Sequence, residues 1–536
     1  MRKYLILTIA VVMALAVAGC STGAGVEASA EAYFANFESN PAISWQDFFA
    51  KLDTGDDLFI LSIRQADVYN QGHVRGAYLA AWGSDLADKV AMLPTDRPVY
   101  VYCYSGQTAG QAVALMRMLG IDAYSLQSGF NYGAVRIEGY EKYVETTPHE
   151  LPDAKARFNK ATLKFVQDYF RSVTDNASYQ IKSADAAPLI EAGDLTVMDI
   201  RRAEDYAAAH IEGAVNVPFG KDMHKQFEQF KGRKVLVVCY TGQTAGQTVA
   251  IMRALGYDAI SLAFGMSENG WTGYVKKTAA NRYFSDFTGN PAVKWDELFA
   301  KIDAGEEPFI LSIRSESDYA AGHVRSAYLA PWGPDLGDQI ALLPTDRPVY
   351  VYCYTGQTAG QAVALMRMLG IDAYSLQSGF NSGATKVEGY EKYVTTGAAP
   401  ELPDAGARFE TVLLHAVKAY FKGLADVADT PYANYKIGLA DAKAAAEGGE
   451  ATVIDIRKPE DFTAGHIEGA INIPFGQGMQ ESFGDIPEGK LIIACYTGQT
   501  AGQTTAVLRM LGYDAVSMHL GMTAGWIAEG HPVVTD

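Results

Sequence analysis

"VYCYSGQTAGQAVALMRMLG" runs from Val101 to Gly120, and "VYCYTGQTAGQAVALMRMLG" from Val351 to Gly370; the two differ only at Ser105 and Thr355. Each opens as an apolar run, meets a single cysteine, turns through glycine and continues with apolar residues at helical spacing. That pattern predicts strand, tight loop and helix, with Cys103 or Cys353 where the strand ends. Diverged versions carry Cys239 in "VLVVCYTGQT" and Cys495 in "LIIACYTGQT".

The repeat extends well beyond the loop. "YFANFESNPAISWQDFFAKLDTG" from Tyr33 recurs as "YFSDFTGNPAVKWDELFAKIDAG" from Tyr283, the same 250-residue offset that separates Cys103 from Cys353. "VMDIRRAEDYAAAHIEGAVNVPFG" from Val197 recurs as "VIDIRKPEDFTAGHIEGAINIPFG" from Val453, the 256-residue offset of Cys239 and Cys495. The chain is therefore a doubled two-domain unit, A-B-A′-B′. All four copies share an apolar run ending in Ile-Arg, a His-Val or His-Ile turn, a second apolar run into cysteine, and a helix followed by another strand. Short apolar runs alternating with helices predict an α/β fold, each domain of about 110 residues having a central parallel sheet with helices on both faces.

The boundaries follow from the repeats: residues 1–19 as a signal peptide, 20–30 as a tether, 31–147 as the first domain and 148–275 as a linker helix plus the second domain. Residues 276–397 form the third domain and 398–536 a second linker helix plus the fourth. The linkers open with "ELPDA", and Phe158, Phe165, Tyr169 and Phe170 recur at helical spacing, as expected of a helix packed on the next domain. Trp82 and Trp332 occur only in A copies and read as core.

A chain of 536 residues with a net charge of −18 repels nucleic acid and anionic surfaces, so no nucleic-acid partner is expected. Arg2 and Lys3, the apolar stretch Leu5–Ala18 and then Val17-Ala18-Gly19-Cys20 resemble a bacterial lipoprotein signal. Cys20 is the expected lipidation site, placing the protein in the cell envelope, periplasmic or at the outer membrane of a Gram-negative bacterium, with the lipid as its membrane contact. The four other cysteines each occupy the same local motif, one per domain, which reads as reactive thiols rather than a disulfide framework.

The loop has a physical logic. Gly106, Gly242, Gly356 and Gly498 permit a tight backbone, and the helix begins near Thr108 and its equivalents. Inward-turned amides and a helix N-terminus favour negative charge, hence thiolate, a bound oxyanion or a persulfide sulfur. The cradle expected around each sulfur is Tyr104, Ser105, Gly106, Gln107 and Thr108; Tyr240, Thr241, Gly242, Gln243 and Thr244; Tyr354, Thr355, Gly356, Gln357 and Thr358; and Tyr496, Thr497, Gly498, Gln499 and Thr500. The tyrosines could wall the pocket or shade the sulfur.

Strand–Ile-Arg, Gly-His-Ile-x-Gly-Ala and a six-residue Cys-x-x-Gly-x-Thr loop together resemble the rhodanese (sulfurtransferase) homology domain, four times over. The resemblance implies a catalytic cysteine that takes sulfane sulfur from a small donor as a persulfide and passes it to a thiol or other nucleophile. Carried over, Cys103, Cys239, Cys353 and Cys495 are the sulfur carriers, and Thr108, Thr244, Thr358 and Thr500 close the loop. No cofactor is implied.

There are departures from the family pattern. The thiosulfate-type loop has basic residues where this chain has tyrosine and serine or threonine, so no side chain of the loop offers a cation to a dianion. Ser62 and Ser312 stand in the A copies where Asp199 and Asp455 stand in the B copies. Arg64, Arg201, Arg314 and Arg457 can bind an anionic donor or pair with helix carboxylates such as Glu204 or Glu460. His73, His210, His323 and His466 read as backbone-bonded turn residues, and no cluster has metal-ligand spacing. Phosphate or arsenate chemistry calls for a longer loop closed by arginine. The remaining alternatives are handling or reduction of selenite- or tellurite-type oxyanions, and a non-catalytic scaffold for envelope redox proteins.

Overall fold

The computed structural model describes residues 25–535. The signal segment and Cys20 lie outside them.

The first domain is built on five parallel strands: β1 (Ala42–Ile43), β2 (Phe59–Ser62), β3 (Tyr78–Leu79), β4 (Val99–Tyr102) and β5 (Ala123–Leu126), in the order β1-β5-β4-β2-β3. The strand that leads into cysteine is the central one. Its alternating side chains serve two cores. Tyr100 and Tyr102 pack with Trp45, Phe48 and Phe49 of the helix Trp45–Thr54 on one face. Val99 and Val101 pack with Val113 and Met116 of the helix Gln107–Met118 on the other. The other three domains repeat this five-stranded plan, with central strands Lys234–Val238, Val349–Tyr352 and Lys490–Ala494.

The chain divides into two compact units. One consists of the chain up to Ile181 with Leu189–Ile200 and Val217–Ala263, so it holds the first domain and the central strands of the second. The other consists of Lys182–Pro188, Arg201–Asn216 and Phe264 onward, and holds the third and fourth domains. Within the first unit a single core runs from Val101 and Val113 to Val237 and Val249. Within the second, a matching core joins Val351 and Val363 to Ile493 and Val507. Each A and B copy thus shares one apolar interior.

The tether expected over 20–30 is corrected by the structure: a helix, Val26–Ala35, starts inside it. The reason is burial. Ala30 and Phe34, one turn apart, are fully covered, with Phe34 set edge-on to Phe219 and Phe227. The counterpart is the helix Trp271–Ser285, which runs through the expected boundary at 275/276; its Phe284 packs on Phe475 and Phe483. The linker segments form the helices Lys160–Ser172 and Thr411–Lys422, with Tyr169, Phe170, Tyr420 and Phe421 buried. Trp82 and Trp332 are only half-buried; their indole N–H groups donate to Ser178 Oγ (3.0 Å) and Asn434 Oδ1 (2.8 Å), tying each A copy to the start of its B copy.

Candidate active site

Each central strand ends one residue before its cysteine, and all four thiols are free and buried. The loop folds back so that backbone N–H groups meet the sulfur. Gly106 donates to Cys103 Sγ at 3.1 Å and Ala109 at 3.4 Å. Gly242 and Ala245 do so to Cys239 Sγ at 3.0 and 3.4 Å, and Gly356 and Ala359 to Cys353 Sγ at 3.1 and 3.4 Å. Gly498 donates to Cys495 Sγ at 3.1 Å. The glycine is the helix N-cap and sits at φ +86° to +91°, a left-handed conformation in which a Cβ is strained. The helix then starts at the glutamine, one residue before the expected threonine. Thr108, Thr244, Thr358 and Thr500 lie half-buried in its first turn. The result is an amide nest at a helix N-terminus with sulfur at its floor.

The mouth is polar. Ser105 and Thr355 are half-buried, and Thr241 and Thr497 are exposed. Three of the loop tyrosines are anchored at the start of a neighbouring helix. Tyr104 Oη accepts from Gln65 N–H (3.0 Å), Tyr354 Oη from Ser315 N–H (3.0 Å) and Tyr496 Oη from Lys458 N–H (3.2 Å), each at the start of the helix that follows Ile-Arg. Tyr354 and Tyr496 also donate to Asp318 (2.5 Å) and Asp461 (2.6 Å).

Gln107 Nε2 donates within its own loop to Ser105 Oγ (3.2 Å), whereas the other three glutamines cross to the partner domain. Gln243 Nε2 donates to Ser125 Oγ (2.7 Å), and its Oε1 accepts from Ser128 N–H (3.2 Å). Gln357 donates to Ser517 Oγ (2.8 Å) and the Met518 carbonyl (3.1 Å). Gln499 donates to Ser375 Oγ (2.8 Å) and accepts from Ser378 N–H (3.3 Å). Gln107 lies against Gly242, where an added Cβ would come within 2.4 Å of its Oε1. The two cysteine loops of each pair therefore face one another and interlock.

The arginines are interior groups. Arg64, Arg201, Arg314 and Arg457 are all at most 6% exposed and donate to the carbonyls of Gly72, Ala209 (2.6 Å), Gly322 and Gly465 (2.7 Å). Arg457 forms a buried bidentate pair with Asp455 (2.7–3.1 Å), not with Glu460, which faces Lys458. Glu204 likewise faces Arg202. Where A copies carry serine for that aspartate, aromatic rings take over: the Arg64 and Arg314 guanidinium groups each lie 4.2 Å from a phenylalanine centroid, Phe130 and Phe380. The four histidines stack on Tyr69, Tyr206, Tyr319 and Phe462, with Nδ1 against the carbonyl of the same residue.

Two features escape the sequence. Lys436 begins the first strand of the fourth domain and pairs with Ser517, the residue that receives Gln357 from the Cys353 loop. It is half-buried, and among the described residues no hydrogen bond or ion pair holds its ammonium. Burial pushes it below the ordinary lysine range, and the negative charge of an ionised Cys353 pulls it back up. His519 stands nearby, its Nδ1 3.4 Å from Gln357 Oε1; burial and Lys436 both push it down. The fourth domain thus gives the Cys353 loop a cation that the loop itself lacks. Second, His73 converges with Glu145 and His149, which are four residues apart but far along the chain from it, so the structure brings together a metal-type cluster that sequence spacing did not reveal.

A model described as the rhodanese-like domain matches residues 44–134, 183–275, 294–386 and 439–529, more than half of the chain. The Bacillus subtilis protein YrkF is 29% identical over 80 residues, 15% of this chain and 42% of YrkF; the chain spans less than half of that relative. Thiosulfate sulfurtransferase GlpE of Shewanella oneidensis is 34% identical over 73 residues, 13% of this chain and 71% of GlpE. The solved thiosulfate sulfurtransferase of Pseudomonas aeruginosa aligns over 92% of this chain and 90% of its own, at 16% identity and a TM-score of 0.18.

Proposed function

Because this chain belongs to the rhodanese-like domain family, we propose that it is a rhodanese-type sulfurtransferase whose carriers are Cys103, Cys239, Cys353 and Cys495. The observation that supports this most directly is the amide geometry at the four Sγ atoms. In the first half-reaction the thiolate attacks the donor's sulfane sulfur. An S–S bond forms, and the donor's leaving group departs with the electron pair. In the second, a nucleophilic acceptor attacks the outer sulfur, and Sγ leaves as thiolate. The Cys sulfur is anionic at the start of one step and the end of the other, and the N–H groups stabilise it in both. Small sulfur compounds are the donors, and thiols or similar nucleophiles the acceptors. Lys436 supports an anionic donor at Cys353 in particular.

We further place the protein in the cell envelope, held by lipid on Cys20. The support is the sequence Val17-Ala18-Gly19-Cys20. Among the described residues no helix is long and apolar enough to cross a membrane.

Intact-protein mass spectrometry after incubation with thiosulfate, mercaptopyruvate or polysulfide tests the chemistry. The protein should gain sulfur that cyanide removes, and each Cys→Ser change should abolish one increment. No uptake from any donor would sink the proposal. Metabolic labelling with a fatty acid, lost in Cys20→Ser, tests the anchor.

A further inference from the structure

Away from the cysteine loops, in the first domain, the strand His73–Val74 pairs antiparallel with Val144–Glu145, setting His73 directly opposite Glu145. The chain then passes through Thr147 and returns His149 to the same spot. His149 N–H donates to Tyr69 Oη (3.3 Å), which pins the return. His149 Nε2 lies 2.7 Å from Glu145 Oε1, and His73 Nε2 lies 4.0 Å from the same oxygen. The ligating atoms of the three residues all fall within 4.8 Å of one another.

The donor accounting at His73 points to a cation. Its ring is fully buried, with Nδ1 2.8 Å from the Tyr69 carbonyl and Nε2 3.0 Å from the Thr147 carbonyl. A neutral imidazole has one N–H, so it can satisfy only one of these oxygens. Nδ1–H to Tyr69 leaves the Nε2 lone pair facing an oxygen lone pair, Glu145 and His149. Orientation of a ligating histidine by a carbonyl on its other nitrogen is how metal sites fix the tautomer. Two imidazoles, a carboxylate and a carbonyl suit a borderline divalent ion, not the all-oxygen sets of calcium or magnesium. Bonds of about 2.0–2.2 Å in tetrahedral geometry need ligand atoms roughly 3.3–3.6 Å apart; the two distances to Glu145, 2.7 and 4.0 Å, fall on either side of that, and the two histidine nitrogens lie within 4.8 Å of each other.

We propose that His73, Glu145 and His149, completed by the Thr147 carbonyl, bind a Zn2+-class divalent ion that clamps the end of the first domain. Glu145 and His149 are half-buried, so an ion can reach them. Among the described residues the site belongs to one copy only. In the third domain His323 pairs with Thr395 in the same register, and residue 399 is alanine.

The test uses the full chain with Cys20 and the four loop cysteines changed to serine, so that thiolates do not compete. Titration with Co2+ should give one tight equivalent with a d–d spectrum of nitrogen–oxygen coordination. Glu145→Gln and His149→Ala should each weaken it by at least tenfold (a ligand lost outright costs no less than an orienting partner), while His323→Ala should leave it unchanged. Absence of a Co2+ spectrum, or one that survives both changes, would overturn the site. Should His149→Ala fail to fold, Glu145→Gln and the unsubstituted ligand set decide the matter.

Discussion

Lys436 is a single residue with consequences for one site out of four. In the second domain the residue paired with the equivalent serine is Gln180, against Ser261, and its Nε2 is buried without a partner. In the fourth it is a lysine whose ammonium is unpaired among the described residues. A half-buried charge is worth much more on an incoming anion than one in water. With only Cys353 retained, Lys436→Gln should raise KM for thiosulfate about tenfold, the order expected of one such charge, and leave KM for an uncharged persulfide donor within about twofold; Lys436→Arg should restore most of it. Equal effects on both donors would show that the lysine acts only on the fold. A second residue-scale expectation concerns Gln111. It is fully buried, accepts from Tyr169 Oη (2.7 Å) and donates to the Ser178 carbonyl (2.9 Å). Gln247, Gln361 and Gln503 make the same kind of bridge to Tyr33, Tyr420 and Tyr283. Gln111→Leu orphans a buried hydroxyl and a carbonyl, so chemical denaturation should show a loss of about 1–3 kcal/mol. The companion change Tyr169→Phe should cost less, because it leaves only one acceptor unpaired.

At the scale of elements, the helices that follow the cysteine loops pack against one another within each pair, and glycine makes this possible. A Cβ on Gly110 would come within 2.3 Å of the Gln243 carbonyl, and one on Gly246 within 2.6 Å of the Gln107 carbonyl; Gly360 and Gly502 meet Gln499 and Gln357 at 2.4 Å. The clash is with backbone, which cannot rotate away. Gly110→Ala should therefore force the two helices apart, costing about 1–3 kcal/mol, and should slow sulfur uptake at Cys239 as well as Cys103. Uptake unchanged at Cys239 by site-resolved mass spectrometry would show that the loops do not depend on one another. This crossing was not legible in the sequence. Thr-Ala-Gly-Gln reads locally as a helix start, and nothing in one chain says that the glycine and the glutamine after it face a second copy. What was legible followed from short-range rules. The strand, the positive-φ glycine and the helix are set by residues within a few positions, and repetition marked the cysteine. The arginines were ambiguous for the converse reason: their partners, Asp455 two residues away in the B copies and Phe130 far along the chain in an A copy, depend on which way a buried side chain turns. Tyr104, Tyr354 and Tyr496 likewise find their helix ends across the sheet edge.

Over the whole molecule, acidity sets the direction in which stability moves. The chain carries 62 acidic and 44 basic residues, and its buried histidines are distributed through both halves of the duplication. His323 and His519 are pushed below the ordinary histidine value, chiefly by burial, with Arg314 and Lys436 adding to it. Their unfolded forms therefore take up protons first. Stability owed to these groups is complete above about pH 6.5, the unfolded value, and is lost as pH falls from there toward the lower folded values. Asp514 acts in a later window. Burial alone would raise it, but Lys490 (2.6 Å) and Arg509 (3.2 Å) hold it below the usual carboxylate range, so its contribution is lost only as pH falls below about 4. Urea midpoints should thus be flat from about pH 8 to 6.5 and then decline in two stages. The double change His323→Asn with His519→Asn should flatten the first stage and leave the second, even if it lowers the plateau by removing the ring stacked on Tyr319. Parallel decline of the parent and the double variant between pH 6.5 and 5 would show that other groups, not these two imidazoles, carry the acid sensitivity.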